Sequence, residues 1–363
     1  MASSSRPQSG QGPSGGPRRL GQQPARSGGG RQNANRRPAS NQPPRRQSGA
    51  QRRYDRSRRR RTNWVGWGAV AVVVIALGTI LGIRFSSGSS GSSGSKSSAI
   101  TGADRNPAPA PAAEVKAITT IPAAVFNSVG TGGQPVPFSV TAKQPALTSG
   151  GKPRLVYEGG EYCPYCAVTR YAMVAALSRF GTFSNLKETA SGPNDGDIPT
   201  FSFVGSSYHS KYVAFSPYEA ADRSGNPLMK VPAQVSALYT KYDGNPNTGK
   251  ASKFANGNWS QPGIPFLDLA NRFVVAGTSP GLYQVVASGV LTNGGPGRQA
   301  IANAIHDPSS AIGKSIQASQ FIAEANYLTG AICMSDGGKP SSVCASPGVK
   351  AAISALSKAK TVS

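Results

Sequence analysis

The chain has 363 residues, 38% hydrophobic and 15% charged, with a formal net charge of +24. That length fits one large domain or two ordinary ones. The charge alone does not mark a nucleic-acid binder, because residues 1–62 hold 16 Arg against a single acid, Asp55, so the basic character is mainly a property of one tail.

Residues 1–62 are rich in Gln, Ser, Gly, Pro, Asn and Arg. So few apolar side chains cannot bury enough surface to offset the entropy of ordering, and the segment reads as a disordered cytoplasmic tail. Tyr54 is its one aromatic, which leaves little for stacking on single strands and disfavours nucleic acid as a partner. Anionic lipid headgroups suit its arginines better.

Trp64 to Ile83 is an uncharged run of 20 residues. As a helix it would span about 30 Å, the thickness of a hydrocarbon core. Residues 63–84 are therefore expected to form one transmembrane helix, a signal-anchor rather than a cleaved leader. Arg52, Arg53, Arg56 and Arg58 to Arg61 precede it, while Arg84 and Lys96 follow. The positive-inside rule then puts the N-terminus in the cytoplasm and the C-terminal domain outside the cell membrane. Residues 85–115, Ser/Gly-rich and then Ala/Pro-rich, read as a linker.

From 116 to 363, strand and helix signals alternate in an α/β pattern. Ala117–Ser128 reads as a short helix and Pro137–Val140 as an edge strand. Pro153–Glu158 is a strand ending in Gly159-Gly160. After Cys166, the apolar residues Val168, Tyr171, Ala172 and Ala175 form one face of an amphipathic helix that ends at Gly181. Leu186–Ala190, Pro199–Val204 and Tyr212–Phe215 read as strands, and Val231–Tyr242 as a helix. Residues 263–268 and 272–275 pair around Asn271. Gly281–Val290, Arg298–Ile305 and Ala311–Leu328 carry helical periodicity, and a last helix begins at Pro347.

The four cysteines are Cys163, Cys166, Cys333 and Cys344. All lie on one side of the apolar run, which fits an oxidising compartment. Cys163-Pro164-Tyr165-Cys166 opens a helix directly after a strand. Unpaired amides and the positive dipole end favour thiolate at Cys163, and a thiolate is the nucleophile of disulfide exchange. Cys166, one turn inward, is placed to resolve the mixed disulfide. Pro164 suits the first helical turn. A structural disulfide is the alternative for this pair. Zinc is disfavoured, since structural zinc sites use two short cysteine spacings and Cys333 to Cys344 is wide. No metal or organic cofactor is expected.

The segment Tyr157-Glu158-Gly159-Gly160-Glu161-Tyr162-Cys163-Pro164-Tyr165-Cys166 resembles the active-site region of thioredoxin-like proteins, and Cys-Pro-Tyr-Cys is the dithiol of many glutaredoxins. Residues 116–363 are similar to the thioredoxin-like family of unknown function numbered 929, found in archaea and actinobacteria. Pro199-Thr200-Phe201-Ser202-Phe203, Ser210-Lys211-Tyr212, Gly263-Ile264-Pro265-Phe266 and the distal cysteines carry that similarity. It implies a thioredoxin-like fold and a redox site, with a helical extension at roughly 290–363 as the departure from a minimal thioredoxin. It also implies that Pro265 is a cis proline facing the dithiol; the alternative is an ordinary trans proline opening a strand.

The expected activity is thiol–disulfide exchange with protein thiols and disulfides, in company with a membrane redox partner. The rival expectation is a non-catalytic binding or envelope scaffold with structural disulfides. Cys333 and Cys344 read either as a structural disulfide or as a shuttle passing electrons to the first pair. Glu158 and Glu161 flank the dithiol as N-terminal-turn acids or proton carriers. His209 and His306 are isolated and read as structural.

Overall fold

The computed structural model describes residues 107–255 and 261–363. The expected tail, membrane helix and Ser/Gly linker all lie outside these residues. Among the described residues, no helix is long and apolar enough to cross a membrane.

The described chain is a mixed α/β structure. Helices α1 (Ala112–Thr119) and α2 (Ala123–Val129) come first. Strands β1 (Ser139–Thr141), β2 (Thr148–Ser149) and β3 (Lys152–Gly159) lead into α3 (Pro164–Leu177). Two small antiparallel ladders follow, β4 (Gly181–Ser184) with β7 (Ser207–Ser210), and β5 (Lys187–Ala190) with β6 (Pro199–Ser202). Next come β8 (Ala214–Glu219), α4 (Ala233–Tyr242), β9 (Gly244–Asn245), β10 (Lys250–Ala251), β11 (Phe266–Leu269) and β12 (Phe273–Ala276). The chain finishes with α5 (Pro280–Ala287), α6 (Arg298–His306), α7 (Ala311–Ser315), α8 (Ser319–Ser335), α9 (Ser341–Cys344), α10 (Pro347–Lys358) and β13 (Thr361–Val362).

The main sheet has the order β13-β1-β12-β11-β3-β2, and β8 also pairs with β3. β8 runs parallel to β3 after the α3 crossover, with Gly159 opposite Glu219. β11 is antiparallel to β3, with Phe266 opposite Glu158. Alternation along the strands sends Leu155, Tyr157, Leu267, Leu269, Phe273 and Val275 into the main core with α3 and α8. Phe266 and Val274 point to the other face, onto Tyr239 and Tyr242 of α4 and onto Phe254.

Several expected elements differ in the structure, each for a local reason. The helix expected at 117–128 is two helices, because Pro122 holds the extended backbone that precedes α2. The first of them, α1, begins at Ala112, inside the stretch assigned to the linker, and Pro109 bridges to Lys187. The strand near 137–140 is not an edge: β13 covers it in parallel. The strand expected at Tyr212–Phe215 starts two residues later and continues to Glu219 along β3. Residues 311–328 split at Gln317, whose φ is +55°, and Ser310 caps the short α7 through the Gly313 amide at 3.0 Å.

α3 is not amphipathic. Every residue from Cys166 to Leu177 is buried, because α8, β6, α5 and α1 pack around it. A helix buried all round loses its polar face. Arg179, just beyond it, ties α3 to the C-terminal helices through Asn326, Thr329 and Ser346. Its guanidinium lies 4.2 Å from the Phe126 ring centroid.

Candidate functional site

The dithiol stands where β3 ends and α3 begins. Cys163 is the residue before the helix, and its sulfur accepts the Cys166 amide at 3.3 Å, while Pro164 occupies the first turn. Cys163 thus fills the role that Ser or Asp plays at other helix starts, satisfying an otherwise unpaired donor. As a thiol, Cys163 donates to the Ile264 carbonyl at 3.6 Å. The Ile264–Pro265 peptide is cis, and the Gly277 amide donates to the Pro265 carbonyl at 2.9 Å. Cys163 therefore meets the Ile264–Pro265 peptide although 101 residues separate it from Ile264 in sequence. Both cysteines are free and buried.

Their environments push the two sulfurs apart. Burial opposes ionisation of Cys163, but the Cys166 side chain and amide, the Arg170 charge and the Tyr165 amide outweigh it and hold the thiol below its ordinary value. Burial, then the hydrogen bond to Cys163 and that sulfur's negative charge, drive Cys166 well above the ordinary range. One sulfur is thus prepared as the nucleophile, and its neighbour holds its proton.

The turn into the dithiol requires close backbone approach. A Cβ on Gly159 would stand 2.1 Å from the Tyr157 hydroxyl, and one on Gly160 would stand 2.7 Å from the Tyr162 ring. Gly160 also holds the turn: its carbonyl accepts the Cys163 amide at 3.2 Å.

Sequence reasoning passed over the groups beneath the turn. Arg170 of α3 and Glu219 at the end of β8 form a fully buried ion pair. Nearby, the Tyr157 hydroxyl and Arg170 Nη1 are buried with no hydrogen-bond partner. The available signal was a single charge in a helix whose other residues between Cys166 and Leu177 are uncharged; a buried Arg is rarely left unpaired. On the outer side, the rings of Tyr165 and Tyr283 stack with centroids 5.7 Å apart and planes 8° apart. Tyr283 belongs to α5, which Ser279 caps through the Leu282 amide at 3.4 Å.

The flanking acids separate. Glu161 lies before α3 rather than in its first turn, fully buried, and accepts the Thr189 hydroxyl at 3.2 Å. Burial raises its pKa to about 7. Glu158 is on the opposite side of the sheet from Tyr157, half-buried, and burial raises its pKa too. His209 is exposed on β7, and His306 Nδ1 contacts the Ala117 carbonyl at 3.0 Å.

Cys333 and Cys344 form a disulfide with Cα atoms 5.7 Å apart. It sits at the other end of the sheet from the dithiol. Arg272, which precedes β12, donates to the Met334 carbonyl beside Cys333 at 2.6 Å, whereas Gly277, which follows β12, meets Pro265. Those two marks are five residues apart along an extended strand, about 16 Å.

Among curated proteins and solved structures, none matches this chain. One family model does, across residues 139–333, more than half of the chain. The matched span begins at β1, includes the dithiol and Pro265, and ends at Cys333. On that match, the protein belongs to the domain of unknown function family DUF929.

Proposed function

We propose that the protein is a thiol–disulfide oxidoreductase of thioredoxin-like fold that works through Cys163 and Cys166. The observation that carries this reading is the convergence of three features on one sulfur. Cys163 caps α3, faces the carbonyl before Pro265, and is held below its ordinary pKa. The fold assignment is supported by the β3–α3–β8 parallel crossover followed by the antiparallel β11–β12 pair.

In the proposed reaction the Cys163 thiolate attacks one sulfur of a substrate disulfide. A mixed disulfide forms, and the other substrate sulfur leaves as thiolate. Cys166 then gives up its proton and attacks Cys163, so that the second substrate thiolate leaves and Cys163–Cys166 closes as a disulfide. Two electrons pass to the substrate, and of the two protons on its thiols one comes from Cys166 and one from solvent. Run in reverse, the same steps oxidise a substrate dithiol.

The membrane anchor at 63–84, the external placement of the domain, the contact of the Arg tail with anionic lipid and a membrane redox partner belong to the same proposal. They are supported by the apolar run and the flanking charge asymmetry of the sequence. A non-catalytic module of the same fold is favoured by one observation, the 5% exposure of Cys163.

Reaction of the full-length chain with a protein disulfide separates the two. Stoichiometric trapping of substrate on a Cys166→Ser variant, with no turnover in Cys163→Ser, is the expected result. A wild-type chain that neither reduces nor forms protein disulfides would overturn the enzyme reading.

A further inference from the structure

α3 carries a single charge, Arg170, one turn beyond Cys166, and its side chain is wholly buried together with that of Glu219. Arg170 Nε donates to Glu219 Oε1 at 2.8 Å and Nη2 donates to Oε2 at 2.7 Å. Nη2 also donates to the Gly160 carbonyl at 2.9 Å. The same Gly160 carbonyl accepts the Cys163 amide at 3.2 Å, so the guanidinium and the first cysteine share one acceptor. Glu219 is opposite Gly159 in the β3–β8 register. The ion pair therefore fastens α3 to the sheet at the point where the chain leaves it for the dithiol. Tyr157 of β3 and Glu161 of the turn are the other titratable groups facing the guanidinium.

A buried ion pair is a weak source of stability, because desolvation cancels most of its attraction and apolar residues of similar volume commonly replace it without loss. Its charge is nonetheless poorly screened in a low-dielectric interior. Of the two partners, the guanidinium favours ionisation of both sulfurs.

We propose that Arg170, anchored by Glu219 and Gly160, is the positioning residue that sets the redox preference of the dithiol, holding a fixed positive charge beneath the sulfurs so that the reduced pair is stabilised as the Cys163 thiolate. The proposal rests on the thiol–disulfide reading above. When two glutathione thiols reduce the Cys163–Cys166 disulfide, the S–S bond breaks and glutathione disulfide forms. Of the two protons released, one goes to Cys166 and one to solvent, because Cys163 stays ionised. Stabilising that anion makes the protein disulfide a stronger oxidant.

The test uses the full-length chain carrying Arg170→Met with Glu219→Leu, an apolar replacement of the whole pair. The readouts are Cys163 ionisation, followed by thiolate absorbance near 240 nm, and the equilibrium with reduced and oxidised glutathione. The expected result is a Cys163 titration displaced upward and an equilibrium at least tenfold in favour of the oxidised protein, equivalent to about 30 mV more reducing. If that variant does not fold, Arg170→Gln with Glu219→Gln keeps hydrogen bonding without charge and is read the same way. A folded variant with unchanged titration and unchanged equilibrium would overturn the role of Arg170 alone. A native chain that fails to exchange with glutathione at any ratio would overturn the thiol–disulfide reading, and with it the redox consequence.

Discussion

The Tyr165 and Tyr283 rings lie parallel beside Cys163, one from the dithiol itself and one from α5, 118 residues away. Stacked aromatic pairs contribute about 0.5–1.5 kcal/mol beyond the area they bury. Tyr283→Ala should therefore lower stability by roughly 1–3 kcal/mol in a urea titration, once burial is added. With that side of the dithiol opened, alkylation of Cys163 by iodoacetamide should accelerate several-fold. An alkylation rate equal to wild type would mean that the stack does not cover the sulfur.

The depressed pKa of Cys163 gives alkylation a characteristic pH profile. The midpoint of thiolate reactivity should lie below that of an ordinary cysteine, while Cys166 remains unreactive. The same shift is a stability contribution in the reduced protein. Because the folded value is the lower one, the contribution is present above the unfolded pKa and disappears as pH falls through the folded value. Mass spectrometry of singly alkylated protein at pH 7, with the label on Cys163, checks the assignment.

Asp268, Asp243, Glu161 and Glu324 bind their protons more tightly folded than unfolded, since burial raises each to about 7. The sign is the reverse of the Cys163 case. Their stabilisation is complete below pH 4 and drains away as pH rises toward 7. Asp268 is the sharpest probe. One of its oxygens accepts the Asn271 amide at 2.8 Å, and the other is buried without a partner. Asp268→Asn should flatten the fall in urea midpoint between pH 5 and pH 8, and an unchanged slope would exclude Asp268 as a contributor.

Removing the Cys333–Cys344 disulfide should cost about 3 kcal/mol, by the loop-closure entropy of an eleven-residue separation. The double serine variant should melt at lower temperature yet exchange disulfides at the native rate, because the bond lies across the sheet from the dithiol. A variant that retains its melting temperature but loses turnover would favour the shuttle role instead.

Local patterns were legible from sequence. The strand before Gly159-Gly160, the helix begun by Pro164 and the Pro347 helix start depend on near neighbours and are found, as is the antiparallel pair around Asn271, which runs over 266–269 and 273–276 rather than 263–268 and 272–275. The Cys163–Cys166 motif opens a helix after a strand as its spacing suggests, and the Ile264 carbonyl that precedes Pro265 lies against Cys163. What sequence concealed depends on distant chain segments. Arg170 and Glu219 are 49 residues apart and share no spacing rule. α3 has one apolar stripe by periodicity, but the packing of α8, β6, α5 and α1 against it buries every side. β1 seemed an edge strand because its outer partner lies more than 200 residues downstream.

That partner, β13, has a practical consequence. Thr361 and Val362 occupy the backbone donors and acceptors along the outer side of β1, much as a zip fastener keeps a seam shut. Trimming these residues, or pulling them away with a fused tag, would leave an open strand edge able to recruit another chain. Preparations that clump after changes at this end of the polypeptide would then be reporting an unsealed sheet rather than a failure of the dithiol.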